Sequence, residues 1–251
     1  ALPISDALAA RGASKLNILV AGGTGSGNTS MLNALSSYSP QGERVVVIED
    51  SRELQLQRAH VVQLEARPPD PKGRGEVTIR DLFRATLRMR PDRIVVGEIR
   101  GGEALDLIQA MTSGHGGCLS TLHATFPRDT LTRLETMSMM SDVEMPLMAM
   151  RVQLASAVNL ICQVGRLQDG SRKVTHITEV LGFDMQTEAY QVQDVFVRQY
   201  QGLGPKGEVL SKLVPSGVLP RCLEQVHEHG LDLPAAMYDA AKHGPVHGSH
   251  G

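Results

Sequence analysis

Gly22, Gly23, Thr24, Gly25, Ser26, Gly27, Asn28, Thr29 and Ser30, the run GGTGSGNTS, fall one residue short of a phosphate-binding loop. The pattern is Gly, any four residues, Gly, Lys, then Ser or Thr, and only Asn28 departs from it, standing where the lysine belongs. Such a loop works because glycine-rich backbone can curl round a phosphate with successive N–H groups pointing inward. The helix that follows offers its positive dipole end to the same anion. Gly22, Gly25 and Gly27 supply the backbone freedom, and Thr29 places a hydroxyl where Mg²⁺ would sit. Asparagine is shorter than lysine and neutral. Loss of one preorganised electrostatic donor costs about 10²–10³ in rate, roughly 3–4 kcal/mol. Ground-state binding suffers less, because the loop N–H groups and the helix end remain.

A phosphate loop needs partner groups: carboxylates for Mg²⁺ and for an attacking water. VVVIED delivers Glu49 and Asp50, and RIVVGE delivers Glu98. Acids at the carboxyl ends of strands in an open α/β sheet lie in the crevice where ligands bind. The bland alternative for each is a solvated loop acid or a helix cap, and at the first strand either Glu49 or Asp50 is the residue that points inward. His115 and His123 bracket the strand Gly117 to Leu122, one before it and one after. Arg80, Arg84, Arg88, Arg90, Arg93 and Arg100 form a basic series that reads mostly as a solvated helix face, with one or two guanidinium groups available to a γ-phosphate. Lys15 cannot replace the missing lysine, since a strand of roughly 20 Å separates it from the loop's end of the sheet. Arg52 lies on the correct edge and is a candidate to reach the phosphates.

The elements that must hold these residues follow from hydrophobic patterning. Strands are predicted at Leu16 to Ala21, Arg44 to Ile48, His60 to Leu64, Arg93 to Val96 and Gly117 to Leu122. Helices are predicted at Thr29 to Ser37, Thr78 to Arg88, Gly102 to Met111 and Pro127 to Met140. RPPDPKGRGE, residues 67–76, must be loop. Alternation of this kind specifies a mostly parallel sheet covered by helices. Past Asn159 the character changes. Strands Asn159 to Val164 and Lys173 to Leu181 read as a hairpin joined through Asp169-Gly170, Ala189 to Val197 adds another strand, and the tail from Gly202 is polar and His-rich at its end. The division is a remnant 1–15 of an upstream part missing from this sequence, a nucleotide-binding core 16–158, and a small β-rich extension 159–251.

The 251 residues are 41% hydrophobic and 21% charged, the composition of a soluble globular protein. A net charge of -2 gives no support to a nucleic-acid partner. No apolar run reaches the roughly 20 residues needed to span a bilayer, so membrane association is expected to run through a protein partner. Cys118, Cys162 and Cys222 are odd in number and far apart, fitting neither a disulfide framework nor a zinc site. The methionine cluster from Met137 to Met150 reads as flexible core or subunit-contact surface.

The runs NILVAGGTGSGNTSMLNALSS, VVVIEDSRELQLQ, RPPDPKGRGEVTIRDLFRATLRMRPDRIVVGEIRGGEALDLIQAM and SGHGGCLSTLHA closely resemble the C-terminal ATPase domain of a secretion ATPase. The chain is similar to the CpaF-type tight-adherence (Tad/Flp) pilus ATPases within the type II/IV secretion traffic ATPases, over Leu16 to Val180 and more weakly to Met237. The resemblance implies a RecA-like P-loop fold in a homo-hexamer on the cytoplasmic face of the inner membrane. There it would work with platform proteins and hydrolyse ATP with Mg²⁺ to drive pilus assembly or export. It makes Gly22 to Thr29 the Walker A loop, Glu49 the acid that orients water, and Glu98 the Walker B acid acting on Mg²⁺ directly or through water. His115 and His123 become the His box that senses the γ-phosphate, and Arg88 and Arg100 arginines that approach nucleotide. Asn28 departs from that pattern, and so does the missing upstream domain, which leaves hydrolysis weak. A non-hydrolysing nucleotide-binding subunit of a mixed ring is the other reading. A P-loop GTPase is disfavoured, because the N-K-x-D motif is missing.

Overall fold

The computed structural model describes residues 15–228 and 239. Their framework is a nine-stranded sheet in the order β3-β2-β4-β5-β1-β6-β7-β8-β9. The strands are β1 (Ile18–Gly22), β2 (Val45–Glu49), β3 (Val61–Glu65), β4 (Arg93–Val96), β5 (Leu119–Leu122), β6 (Leu160–Arg166), β7 (Arg172–Asp184), β8 (Ala189–Leu203) and β9 (Val209–Pro215). From β3 to β6 every pairing is parallel, and from β6 onward every pairing is antiparallel. The sheet runs without a break across residues 158 and 159, because β6 pairs directly with β1.

The helices are α1 (Asn28–Ser37), α2 (Ile79–Thr86), α3 (Glu103–Thr112), α4 (Pro127–Ser138), α5 (Leu147–Ala157) and α6 (Leu223–Glu228). They divide between the two faces. Leu19, Ala21, Val46, Ile48, Ile94 and Val96 pack against α2 to α5, while Ile18, Val20, Val45, Val47 and Val95 pack with Leu32 and Leu35 of α1. Parallel strands covered on both faces are apolar at every position, which is why LNILVA, VVVI and RIVV read as unbroken runs. Local chemistry sets the helix ends. Thr78 and Asp81 form a reciprocal capping box on α2, and Pro127 opens α4 at a position where its missing N–H costs nothing.

Several expectations change. The methionine-rich stretch contains a helix, α5, that the sequence reading did not assign. Met137 and Met150 are core, whereas Met139 and Met140 are exposed. The segment read as a polar tail holds β9, whose Leu213 and Val214 are buried against the extended sheet, and then α6. The His-rich end lies outside the described residues. The arginine series is solvated only in part: Arg84, Arg88, Arg90 and Arg100 are exposed, whereas Arg80 is half-buried and Arg93 buried. Arg80 pairs with Asp106 at 2.7 Å and with Asp142, and Arg84 pairs with Asp106 at 3.2 Å. Arg93, with its side chain fully buried, meets Glu43 at 2.9 Å and donates to the Gly117 carbonyl at 3.1 Å. Burial of a guanidinium is tolerated only where partners such as these replace the water it loses.

Candidate functional site

The chain leaves β1 at a position flanked by β5 and β6, both of which arrive much later in the sequence. Beyond the carboxyl ends of β1, β2, β4 and β5 lies a cleft of about 390 Å³, within the usual size range of small-ligand sites. The turn after β1 forms one wall. Gly25 (φ 72°) and Gly27 (φ 99°) adopt left-handed backbone, which side chains with a Cβ rarely tolerate. Gly27 caps α1 with no side-chain partner for the helix's first N–H groups. Asn28, Thr29 and Ser30, the residues that carry these donors, line the cleft. Gly23 and Thr24 form the exposed outer bend, and Ser26 is buried beneath it. At Gly22 an added Cβ would lie 2.5 Å from the Val164 carbonyl oxygen and 2.6 Å from Asn28 Oδ1, so no other residue fits there without displacing backbone.

Asn28 does not extend over the cleft as a lysine would. Its Nδ2 donates to the Gly22 carbonyl at 3.2 Å, and its Oδ1 accepts from Ser26 Oγ at 3.1 Å. The side chain closes the loop on itself, so loop shape survives the loss of charge.

The opposite wall is acidic. Glu49 ends β2 and is 4% exposed; its Oε1 accepts the Glu53 N–H at 3.0 Å and the Leu54 N–H at 2.9 Å. One oxygen thus holds the loop 50–54, which carries Asp50, Ser51 and Glu53 along the cleft. Glu98, just past β4, has both oxygens engaged: Oε2 with Arg100 at 2.7 Å and Oε1 with His123 Nε2 at 3.1 Å. Arg100 also reaches Asp50 at 3.2 Å, and the hydrogen bond it donates to Glu98 is the main cause holding its guanidinium above the ordinary value. Thr121 completes this side, donating to the Gly97 carbonyl at 2.6 Å.

The structure thus brings together Thr29, Asn28, Glu49, Asp50, Glu98, Arg100 and His123. It does not bring His115 or Arg88 there. His115 precedes β5 and so lies at the sheet's other edge, where its carbonyl accepts from the Cys118 thiol at 3.0 Å. A strand separates it from His123 just as one separates Lys15 from the loop. Arg88 is exposed in the turn after α2, on the edge where Arg44 Nε donates to the Met89 carbonyl at 3.0 Å. Arg52 is exposed and is not among the residues lining the cleft. Ser51, Glu53, Gly97 and Thr121 line the cleft without having been singled out from the sequence, and so does a residue from outside its motifs. Arg172, the first residue of β7, donates from Nε to the Gly25 carbonyl at 2.8 Å. The available signal was its place just past the Asp169-Gly170 turn, but nothing local says which loop that turn faces.

Fit to a magnesium nucleotide rests on these donors. No group of three metal-ligating side chains occurs among the described residues. Mg²⁺ typically takes one or two protein oxygens and draws the rest from phosphate and water. The Thr29 hydroxyl and the Glu98 carboxylate are suited to that share, with Glu98 exchanging one of its present partners.

Comparison with known proteins decides the family. Residues 5–202 match the family described as type II/IV secretion system protein. The chain belongs to this family. It is 43% identical over 166 residues to the type IV secretion system protein PtlH of Bordetella pertussis, covering 64% of this chain and 49% of PtlH. It is 34% identical over 182 residues to the conjugal transfer protein TrbB of Rhizobium radiobacter, covering 70% of this chain and 53% of TrbB. Among solved structures, the VirB11 ATPase of the Brucella suis type IV secretion system, in complex with sulphate, superimposes with a TM-score of 0.61 at 34% identity. That match covers 68% of this chain and 50% of that one. The chain spans about half the length of the secretion-family relatives it matches. The α/β fold, parallel through β6 and antiparallel beyond, matches those secretion ATPase structures. No helix among the described residues is long and apolar enough to cross a membrane.

Proposed function

We propose that this chain is the nucleotide-binding motor domain of a type II/IV secretion traffic ATPase, binding Mg·ATP in the cleft after β1 and hydrolysing it weakly because of Asn28. The observation that carries the reading is the facing of two walls. On one side is a glycine loop ending in open helix donors, and on the other a pair of strand-end carboxylates, Glu49 and Glu98, with His123 on Glu98. Arrangement across a shared cleft is what phosphoryl transfer to water requires: anion donors at one end and acids for metal and nucleophile at the other. The metal would supply charge neutralisation between the phosphate oxygens. Glu98 and Thr29 would hold it, and Glu49, with Oε2 uncommitted, would orient water. A sulphate-bound VirB11 ATPase among the relatives supports an anion site in this fold.

The same reading extends to the finer points that resemblance suggests: a Tad/Flp-type machine, a homo-hexameric ring, and attachment at the cytoplasmic face of the inner membrane through platform proteins. Among the described residues, the cleft lining includes no Phe, Tyr, Trp or large aliphatic side chain that could hold a nucleobase. This fits a site whose base-binding part is completed by chain outside this sequence or by a neighbouring subunit. Arg88 and His115, placed away from the cleft, fit contact with such a neighbour.

A second reading, a nucleotide-binding subunit that does not hydrolyse, is favoured by the folded-back Asn28 side chain. Calorimetry with Mg·ATP beside steady-state hydrolysis, on the parent and on Asn28→Lys, separates the two. Binding by the parent with turnover gained in Asn28→Lys supports the motor. Binding by both with turnover in neither leaves the non-hydrolysing subunit. No binding in either removes the nucleotide reading.

A further inference from the structure

We propose that Arg172 supplies the phosphate-facing positive charge that position 28 lacks, so that the phosphate loop of this chain is completed from the β6–β7 hairpin. The inference rests on the nucleotide reading above.

The cleft holds four carboxylates, Glu49, Asp50, Glu53 and Glu98, against two guanidinium groups. Arg100 is tied to Glu98 and Asp50 on the acidic wall. Arg172 stands on the loop side and forms no ion pair among the described residues. A guanidinium has five N–H donors in a fixed plane. One of them, on Nε, is bound to the Gly25 carbonyl, which leaves the terminal nitrogens for a ligand.

Its position is held from three directions. Arg172 pairs with Arg166 across the hairpin. The turn between them is fixed by Asp169, whose Oδ1 accepts the Ser171 N–H at 2.9 Å and the Ser171 hydroxyl at 2.6 Å. Its Oδ2 accepts the Val209 N–H at 2.7 Å. The stem then lies flat on the loop: a Cβ at Gly27 would come within 3.1 Å of Arg172 Cδ. Gly27 therefore admits both the left-handed turn and the arginine stem. Loop and hairpin are 147 residues apart in sequence, yet they fit as one surface. Arginine presents its charge through a rigid fork suited to phosphate. A phosphate on the loop N–H groups would lie beside the free edge of that fork.

The test uses the whole chain and calorimetric titration of Mg·ATP at low and high salt. Arg172→Gln should weaken ATP binding about tenfold, the lower end for hydrogen bonds to charged groups at an exposed site. Arg172→Lys, which cannot keep the Nε bond to Gly25 yet retains a cation, should recover most of that loss. In the Asn28→Lys background the cost of Arg172→Gln should fall below about threefold, because the charge is then supplied twice. Arg172→Gln binding within twofold of a parent that does bind overturns the inference and leaves the nucleotide site intact. Equal losses in Arg172→Gln and Arg172→Lys also overturn it, reducing Arg172 to a brace for the loop. Absence of binding in the parent and in every variant removes the nucleotide reading, and this inference with it.

Discussion

Glu49 carries two loads, and removing them one at a time gives the sharpest test of the site. Its Oε1 accepts the N–H groups of Glu53 and Leu54, at 3.0 and 2.9 Å, while Oε2 has no hydrogen-bond partner among the described residues and the side chain lines the cleft. Glu49→Gln keeps the shape and an oxygen in place but exchanges charged acceptors for neutral ones. Hydrogen bonds to charged groups contribute about 1.5–3 kcal/mol against about 0.5–1.5 kcal/mol for neutral ones, a loss of about 1 kcal/mol or more per bond; because the two bonds share one oxygen their losses are less than additive, and the pair loses about 1–2 kcal/mol. Glu49→Ala removes the acceptor altogether. Leu54 is fully buried, so its N–H is stranded, and together with the lost packing the cost rises to about 3 kcal/mol. With a urea m-value of about 2–3 kcal/mol/M, Glu49→Ala should unfold about 1–1.5 M earlier than the parent, and Glu49→Gln about half as much earlier. Urea unfolding followed by far-UV circular dichroism reads the difference. Hydrolysis, assayed on an Asn28→Lys background, should fall at least a hundredfold in Glu49→Gln although the loop persists. Equal midpoints for parent and Glu49→Ala would refute the structural role. Turnover surviving in Glu49→Gln would refute its assignment to the water.

Three further outcomes follow from the geometry. Gly22→Ala should weaken ATP binding more than tenfold and destabilise the chain by about 1–3 kcal/mol, since the Val164 carbonyl that it meets cannot step aside. Gly23→Ala, with nothing within 4 Å of the new methyl, should behave as the parent, and equal phenotypes in binding and unfolding would refute the packing argument. Burial pushes the Cys118 and Cys162 thiols up to about 12, so neither should react with iodoacetamide at pH 8 until the chain unfolds; mass spectrometry showing native labelling of either would contradict this. Hydrogen bonds from Ser171 and the Val209 N–H hold the Asp169 carboxyl at about 2, below its ordinary 3.8. Because the folded value is depressed, the stability it contributes is present above pH 4 and disappears as pH falls from about 4 to about 2. The gap in thermal midpoint between parent and Asp169→Asn should therefore close across that window, and a gap constant with pH would rule the linkage out.

What the sequence disclosed and what it withheld differ in range. Strand–loop–helix order around Gly22, and acids at the ends of VVVIE and RIVVGE, are local patterns. A fully buried parallel sheet writes them as apolar runs that stop where the cleft begins. Glu49, Glu98 and His123 were legible for that reason, and their meeting follows from parallel strands ending on one edge. The same logic places His115 on the opposite edge, because a residue that enters a strand cannot share the edge with one that leaves it. Arg93 misled for the opposite reason. Its charge reads as surface, and only partners distant in sequence, Glu43 and the Gly117 carbonyl, make a buried place possible. Arg172 is the extreme case. Its part in the cleft depends on β6 lying beside β1 in the register Ile18 to Leu160, and on an antiparallel return that brings β7's first residue level with the phosphate loop. No periodicity encodes such a long-range register; it emerges from the burial of both sheet faces together. Position 28 connects the two scales. The local pattern shows a lysine missing and suggests a weakened site, whereas the assembled sheet places against the same loop the guanidinium of Arg172, which has no ion pair among the described residues. A missing charge in a motif therefore has to be sought across the fold before the site is judged incomplete.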